Sequence, residues 1–232
     1  MATFAIGDVH GCLASLDALL NQIAPRSGDH LVFLGDYIDR GPDSRGVIQR
    51  VIELSREFRV TPLKGNHEMM MMDVREKRDT VTAMRWHRNG GNTTIDSYGW
   101  PVIHPNFPRP HLDWLEKLPM YLNEEGYFYV HGGLDLKSEN PLQDEKSMAW
   151  ARNWYDEEAF QMLFPGGKVV IHGHTPISRT EIERLVNSNS PYFNLDGGCV
   201  YCGRRPGMGW LVGLHVETRR LFFQECVDDV NF

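Results

Sequence analysis

No apolar stretch in this chain approaches the ~18 residues needed to cross a bilayer, and no basic segment leads into an apolar one near its start. Neither a membrane span nor a secretory leader is therefore expected. Runs of lysine or arginine are missing too, and the net charge is −7. That excludes a basic stripe for nucleic acid, so an anionic ligand has to be attracted locally, by a few arginines or by bound cations. Cysteine is scarce: Cys12, Cys199, Cys202 and Cys226 are the four in 232 residues. So few exclude a fold built on disulfides. Cys199-Val-Tyr-Cys202 is a lone CxxC that could bind zinc or serve redox chemistry; buried free thiols are the plainer reading. A reduced, cytoplasmic protein is expected. The apolar fraction of 41% still allows a packed core. With no repeat, low-complexity segment or linker, one domain over residues 1–232 is predicted.

What the chain does have is a recurring pattern. Five short apolar runs each lead into Asp, Asn or His bracketed by glycine: GDVHG at 7–11, GDYIDRG at 35–41, GNHE at 65–68, HGG at 131–133 and GHT at 173–175. A short apolar run bounded by turn residues reads as a buried strand, and polar groups at the carboxyl ends of such strands converge on a crevice. Helical spacing follows the first two runs: Leu13, Leu16, Leu19, Leu20 and Ile23, then Ile48, Val51, Ile52 and Phe58; Asn66-His67 should open a third helix to about Arg78. This βαβαβα start predicts a parallel sheet. Residues 79–118 are less regular and predict an insertion over the rim of the site, with a short helix around Leu112 and Leu115. Residues 143–164 predict aromatic-rich helix. Strands at 192–195, 210–216 and 221–224 predict a second sheet packed on the first.

The residues at the ends of the runs carry the chemistry. Asp8, Asp36, His10, His131, His174 and Asn66 form a mixed nitrogen and oxygen donor set suited to divalent ions such as manganese, iron or zinc. A carboxylate such as Asp36, between two ions, can bridge them. Two-ion sites clamp the entering and leaving oxygens of a displacement. Asn66 contributes a neutral oxygen, so the pair keeps positive charge for a phosphate. His67, pointing elsewhere from the same turn, can protonate a leaving alkoxide, with Asp39 to orient it. Arg40 can fork two phosphate oxygens, and Arg152 is a second candidate. His30, His87, His104, His111 and His215 lack a partner pattern. On strand alternation His172 faces away from His174, so it stays outside the site.

These five motifs, with the tail LDGGCVYCG at 195–203, resemble the calcineurin-like metallophosphoesterases, and within them the bacterial and bacteriophage-type serine/threonine protein phosphatases. The resemblance spans about residues 3 to 175. It implies an α/β fold with a central β-sandwich of two mixed sheets flanked by helices. It also implies two divalent ions, manganese by preference, with iron or zinc as options. The first would be held by Asp8, His10 and the bridging Asp36, the second by Asp36, Asn66, His131 and His174. His67, paired to Asp39, would be the general acid; Arg40, Arg152 and Asn66 would grip the phosphate; a metal-bridging hydroxide would attack in line. Lys64 departs from an Arg common in relatives, which loosens substrate grip there. Pro176 stands where many members have a further His.

Three functions compete. Asp39 and Glu68 favour removal of phosphate from phosphoserine or phosphothreonine in a protein or peptide. The alternative is a symmetrical dinucleoside tetraphosphate hydrolase, or another enzyme acting on a phosphorylated small molecule. A catalytically dead binding module is disfavoured, because every expected ligand is present. No nucleic-acid or membrane partner is expected.

Overall fold

The computed structural model describes residues 1–230. Its first half alternates as expected: β1 (Thr3–Ile6), α1 (Leu13–Ile23), β2 (His30–Phe33), α2 (Ser44–Glu57), β3 (Arg59–Pro62) and α3 (Asn66–Lys77). Then come α4 (Thr80–Trp86), α5 (Asn92–Tyr98), α6 (Arg109–Glu116), β4 (Tyr121–Glu124) and β5 (Tyr127–Val130). The rest is α7 (Glu145–Trp150), α8 (Glu157–Leu163), β6 (Val169–His172), α9 (Arg179–Val186), β7 (Tyr192–Asn194), β8 (Trp210–His215) and β9 (Arg220–Glu225).

Nine strands make two mixed sheets among the described residues. One runs β3-β2-β1-β8-β9, the other β4-β5-β6-β7. β1, β2 and β3 are parallel, and β8 and β9 join them antiparallel. β5, β6 and β7 are parallel, with β4 antiparallel at the edge. Strand alternation explains why the runs look uniformly apolar: both faces are covered. In β1, Phe4 and Ile6 face the helices α1 to α6 while Ala5 faces the second sheet. In β2, Leu31 and Phe33 face out while Val32 faces in. In β5, Phe128 and Val130 turn to α7 and α8 while Tyr129 turns inward. The result is a sandwich with an apolar layer between the sheets and helices outside both.

Two expectations need correction. The last strands do not build the second sheet: only β7 joins it, and β8 and β9 complete the first, with β8 beside β1. Nor is 79–118 irregular. It is α4, a wide turn at His87–Gly91, α5 and α6, and Trp86, Tyr98, Leu112 and Leu115 are buried in the first sheet's core. The Asn-Gly-Gly sequence looked like a loop because glycine disfavours helix, yet the turn is tightened by Gly90 at φ 99°. Helix over 143–164 is present but broken between α7 and α8.

Candidate metal centre

The parallel strands deliver Asp8, Asp36, Asn66, His131 and His174 to adjoining loops at one edge of the sandwich. Those loops are strained. Of the nine non-glycine residues with positive φ among the described residues, five are His10, Asp36, Asp39, Arg40 and His174. Each such conformation costs on the order of 1–3 kcal/mol and persists only where surroundings enforce it. Here the enforcement is polar. Buried Glu68 accepts from the backbone N–H of Asp36 (2.9 Å), Tyr37 (2.8 Å) and Gly65 (2.9 Å). Burial raises its pKa to about 8, against which these donors favour the carboxylate.

Asp36 is the hub. Its Oδ1 lies 3.3 Å from His131 Nε2, and its Oδ2 lies 3.6 Å from His10 Nε2 and 3.9 Å from His67 Nε2. Two donor groups share it: His10, Asp36 and His67, and Asp36, His131 and His174, each with donor atoms within 4.8 Å of one another. Asp8 falls in neither group. It is buried beside them, accepting from the His174 backbone N–H at 3.1 and 3.2 Å. Asn66 Oδ1 sits 2.8 Å from His174 Nδ1 and 3.0 Å from His131 Nε2. Burial raises the Asp36 carboxyl, but His131, His67 and His10 outweigh it and hold it well below the usual range. Burial and Asp196 push Asp8 up instead.

The residues fit a pair of divalent ions. His10 Nδ1 lies 2.9 Å from the Ile38 carbonyl, and His131 Nδ1 lies 2.8 Å from the Leu34 carbonyl. Donation to these carbonyls fixes the tautomer and turns both Nε2 atoms toward Asp36, the arrangement that orients metal-binding imidazoles. His131 Nε2 faces two oxygens, and although burial opposes its charge, Asp36 lifts its pKa to about 10; a cation could take that proton's place. His174 Nε2 is buried with no hydrogen-bond partner.

Beside the hub, His67 Nδ1 is 2.6 Å from Asp39 Oδ2. Asp39 is fully buried, and two further side chains hold it: Trp86 Nε1 donates to Oδ2 (2.9 Å) and Thr94 Oγ1 donates to Oδ1 (2.6 Å). Sequence reasoning missed both, because they come from α4 and α5, in the segment read as a rim insertion. Arg40 reaches His10 Nε2 (2.8 Å) and His67 Nε2 (2.9 Å) rather than pairing with Asp39 or Asp36. Asp196, also missed, is buried; its backbone N–H donates to Asn194 Oδ1 and its Oδ1 accepts from Gly198 N–H. Lys64 extends to the Glu116 carbonyl at the end of α6 (3.3 Å).

Gly65 shows how tight the packing is. A Cβ there would lie 2.1 Å from Asp36 Oδ1. Gly65→Ala is expected to displace Asp36 and lower divalent-ion affinity at least about tenfold, measured by calorimetric titration of stripped protein.

A cavity of about 430 Å³ adjoins the centre, lined by Arg152, Trp154, Tyr155, His172, Tyr192 and Asn194 among others. Arg152 donates to Thr175 Oγ1 (2.9 Å), next to His174. His172 lies outside both donor groups, as its strand position suggested. It is instead part of this cavity's wall, edge-on to Trp154 and tilted against Tyr192, and its buried Nε2 has no partner.

Comparison with known proteins bears on this centre. The family model described as calcineurin-like phosphoesterase matches residues 1–200. Curated relatives include the symmetrical bis(5'-nucleosyl)-tetraphosphatase of Nitrosomonas europaea, 33% identical over 58% of this chain and 45% of that protein. Serine/threonine-protein phosphatase 1 of Salmonella typhimurium is 40% identical over 38% of each chain. The chain thus matches somewhat under half the length of these relatives. Among solved structures, a protein provisionally described as a diadenosine tetraphosphatase superposes with a TM-score of 0.68 at 20% identity, over 97% of this chain and 93% of that one. A Saccharomyces cerevisiae protein serine/threonine phosphatase gives 0.66 at 13% identity, over 99% and 81%. At these identities the structures speak for the fold alone.

Proposed function

Since this chain belongs to the calcineurin-like phosphoesterase family, we propose that it is a metal-dependent hydrolase whose substrate is a small phosphorylated molecule of the dinucleoside polyphosphate class. The sequence reading favoured a phosphoprotein instead. The relatives tilt the balance, since several symmetrical bis(5'-nucleosyl)-tetraphosphatases match over 58% of the chain. The observation that carries the reading is the aromatic cavity beside the metal centre. A nucleobase can pack on the Trp154 and Tyr192 rings, with Arg152 toward the phosphates.

Asp8, His10, Asp36, Asn66, His131 and His174 would hold two divalent ions, manganese by preference. Bound there, such ions neutralise phosphate charge and supply a nucleophilic oxygen from water. The protein's own part is positional. Arg40 binds and orients phosphate oxygens. His67, its Nδ1–H held by Asp39, presents a proton at Nε2 to the leaving oxygen. Asp39 itself orients the ring and stabilises its doubly protonated form, and Trp86 and Thr94 keep Asp39 in place. Trp86→Phe is expected to slow turnover of phosphoserine by about tenfold with KM nearly unchanged, since losing one hydrogen bond to a charged group costs ~1.5–3 kcal/mol. A raised KM with kcat unchanged on steady-state assay would instead mean a binding role. Arg40→Ala is expected to weaken inhibition by inorganic phosphate by 1.5–3 kcal/mol, roughly 10- to 150-fold. An unchanged inhibition constant would reject its role.

One observation favours the second reading, phosphoserine or phosphothreonine. The His67–Asp39 pair, buried and held at 2.6 Å, is a dedicated acid. An alkoxide needs such an acid, whereas a nucleotide phosphate leaves with little protonation. Manganese-loaded protein assayed side by side on diadenosine tetraphosphate and a phosphothreonine peptide decides. Higher kcat/KM on the dinucleotide supports the proposal; preference for the peptide replaces it with the second reading.

A further inference from the structure

The chain carries a further cluster of side chains able to hold a metal, sharing no residue with the two donor groups around Asp36. The sulfurs of Cys12, Cys199 and Cys226 all lie within 4.8 Å of one another. They arrive from distant segments: the N-terminal flank of α1, the short turn before β8, and the end of β9. The CxxC spacing suggested a different pairing. Cys202 is exposed and takes no part, while Cys199 meets two thiols remote in sequence.

The surroundings suit a soft ion. Cys12 and Cys199 are buried in the core of the first sheet's helical face, and Cys226 is half-buried, giving a path from solvent. Cys12 Sγ points to the His10 carbonyl (3.6 Å) and Cys226 Sγ to the Asp228 carbonyl (3.8 Å), both weak contacts that sulfur gives up readily. Three sulfurs around one ion with bonds of ~2.3 Å lie roughly 3.8–4 Å apart, so only a small contraction is needed. Thiolate donors select Cu(I) and Zn(II) over the harder ions suited to the nitrogen and oxygen set around Asp36.

We propose that Cys12, Cys199 and Cys226 form a thiolate site for a thiophilic d10 ion, Zn(II) or Cu(I). Each thiol gives its proton to solvent as its sulfur–metal bond forms, and no electron is transferred. The ion ties the loop carrying Asp8 and His10 to the C-terminal strand pair, so it acts as a staple. Its binding energy adds to stability because the unfolded chain does not gather these thiols.

Cobalt(II) reports the site without reference to activity. Metal-stripped, fully reduced protein carrying Cys202→Ser, to silence the exposed thiol, is titrated with Co(II) under anaerobic conditions. Once Co(II) exceeds what the nitrogen and oxygen centre takes up, one further equivalent is expected to complete a near-ultraviolet thiolate-to-cobalt charge-transfer band, which that centre cannot give. Zn(II) should displace it, or Cu(I) should bind in preference when competed through a Cu(I) chelator; the two arms identify the ion. Adding Cys226→Ser should abolish the band and lower affinity at least about 100-fold, more than the loss of an outer-sphere partner costs. No band, or a band that survives Cys226→Ser, overturns the site. If Cys226→Ser fails to fold by near-ultraviolet circular dichroism, zinc-edge X-ray absorption on the unmodified protein substitutes: sulfur neighbours support the site, and nitrogen and oxygen neighbours alone reject it.

Discussion

Asp36→Asn is expected to lose ion binding and hydrolysis together. The carboxylate stands within 3.3–3.9 Å of three imidazoles and belongs to both donor groups. Asn keeps the shape but removes the charge that holds His131 and His10 toward it. Even altering a residue behind a ligand costs about 10- to 100-fold in affinity, so removing the shared ligand should cost more, for both ions at once. Calorimetric titration of the stripped variant with manganese should show neither transition of the parent protein. A variant that binds two ions normally yet fails to hydrolyse would mean that Asp36 acts on chemistry rather than on the ions. The backbone offers a control: Glu68 holds the Asp36 and Tyr37 N–H groups independently of the side chain, so the fold should survive.

His67→Asn is the second large effect, and its size depends on the substrate. Ion binding should persist, because Asp36, His131 and His174 remain. Turnover of phosphoserine should fall about 10²- to 10⁴-fold, the usual range for losing a positioned acid. For para-nitrophenyl phosphate, whose leaving group needs little protonation, the fall should be far smaller. The dinucleotide should behave like the good leaving group. Parallel kinetics on the three substrates therefore test the acid assignment and the substrate reading together. A uniform loss across all three would show that His67 serves ion or phosphate binding, a role its place among the His10 and Asp36 donors also permits.

Much of this was readable in the chain. Glycine-bracketed polar residues after apolar runs located the strand ends, and the edge of a parallel sheet is where such ends must meet. Helices α1 and α2 followed from 3.6-residue spacing and α3 from the turn at Asn66-His67, and α2 is capped by Asp43, whose side chain accepts from Gly46 N–H. Other features escaped because their cause is not local. The helices of 79–118 are stabilised by burying Trp86 and Tyr98 against the first sheet, which overrides the glycine-rich signal between them. The return of β8 to pair with β1 is a long-range choice that short strands do not announce.

The amino-acid sequence by itself determined the kind of donors available, their glycine-hinged loops and the period of each strand and helix, because these depend on residues a few positions apart. Only the tertiary structure decided which donors lie within reach of one another, that Trp86 and Thr94 hold Asp39, that His172 faces an aromatic cavity, and that Cys199 meets Cys12 and Cys226 rather than Cys202. Those pairings join residues tens to hundreds of positions apart. Nothing in local spacing specifies them; they follow from sheet order and from which faces are buried together.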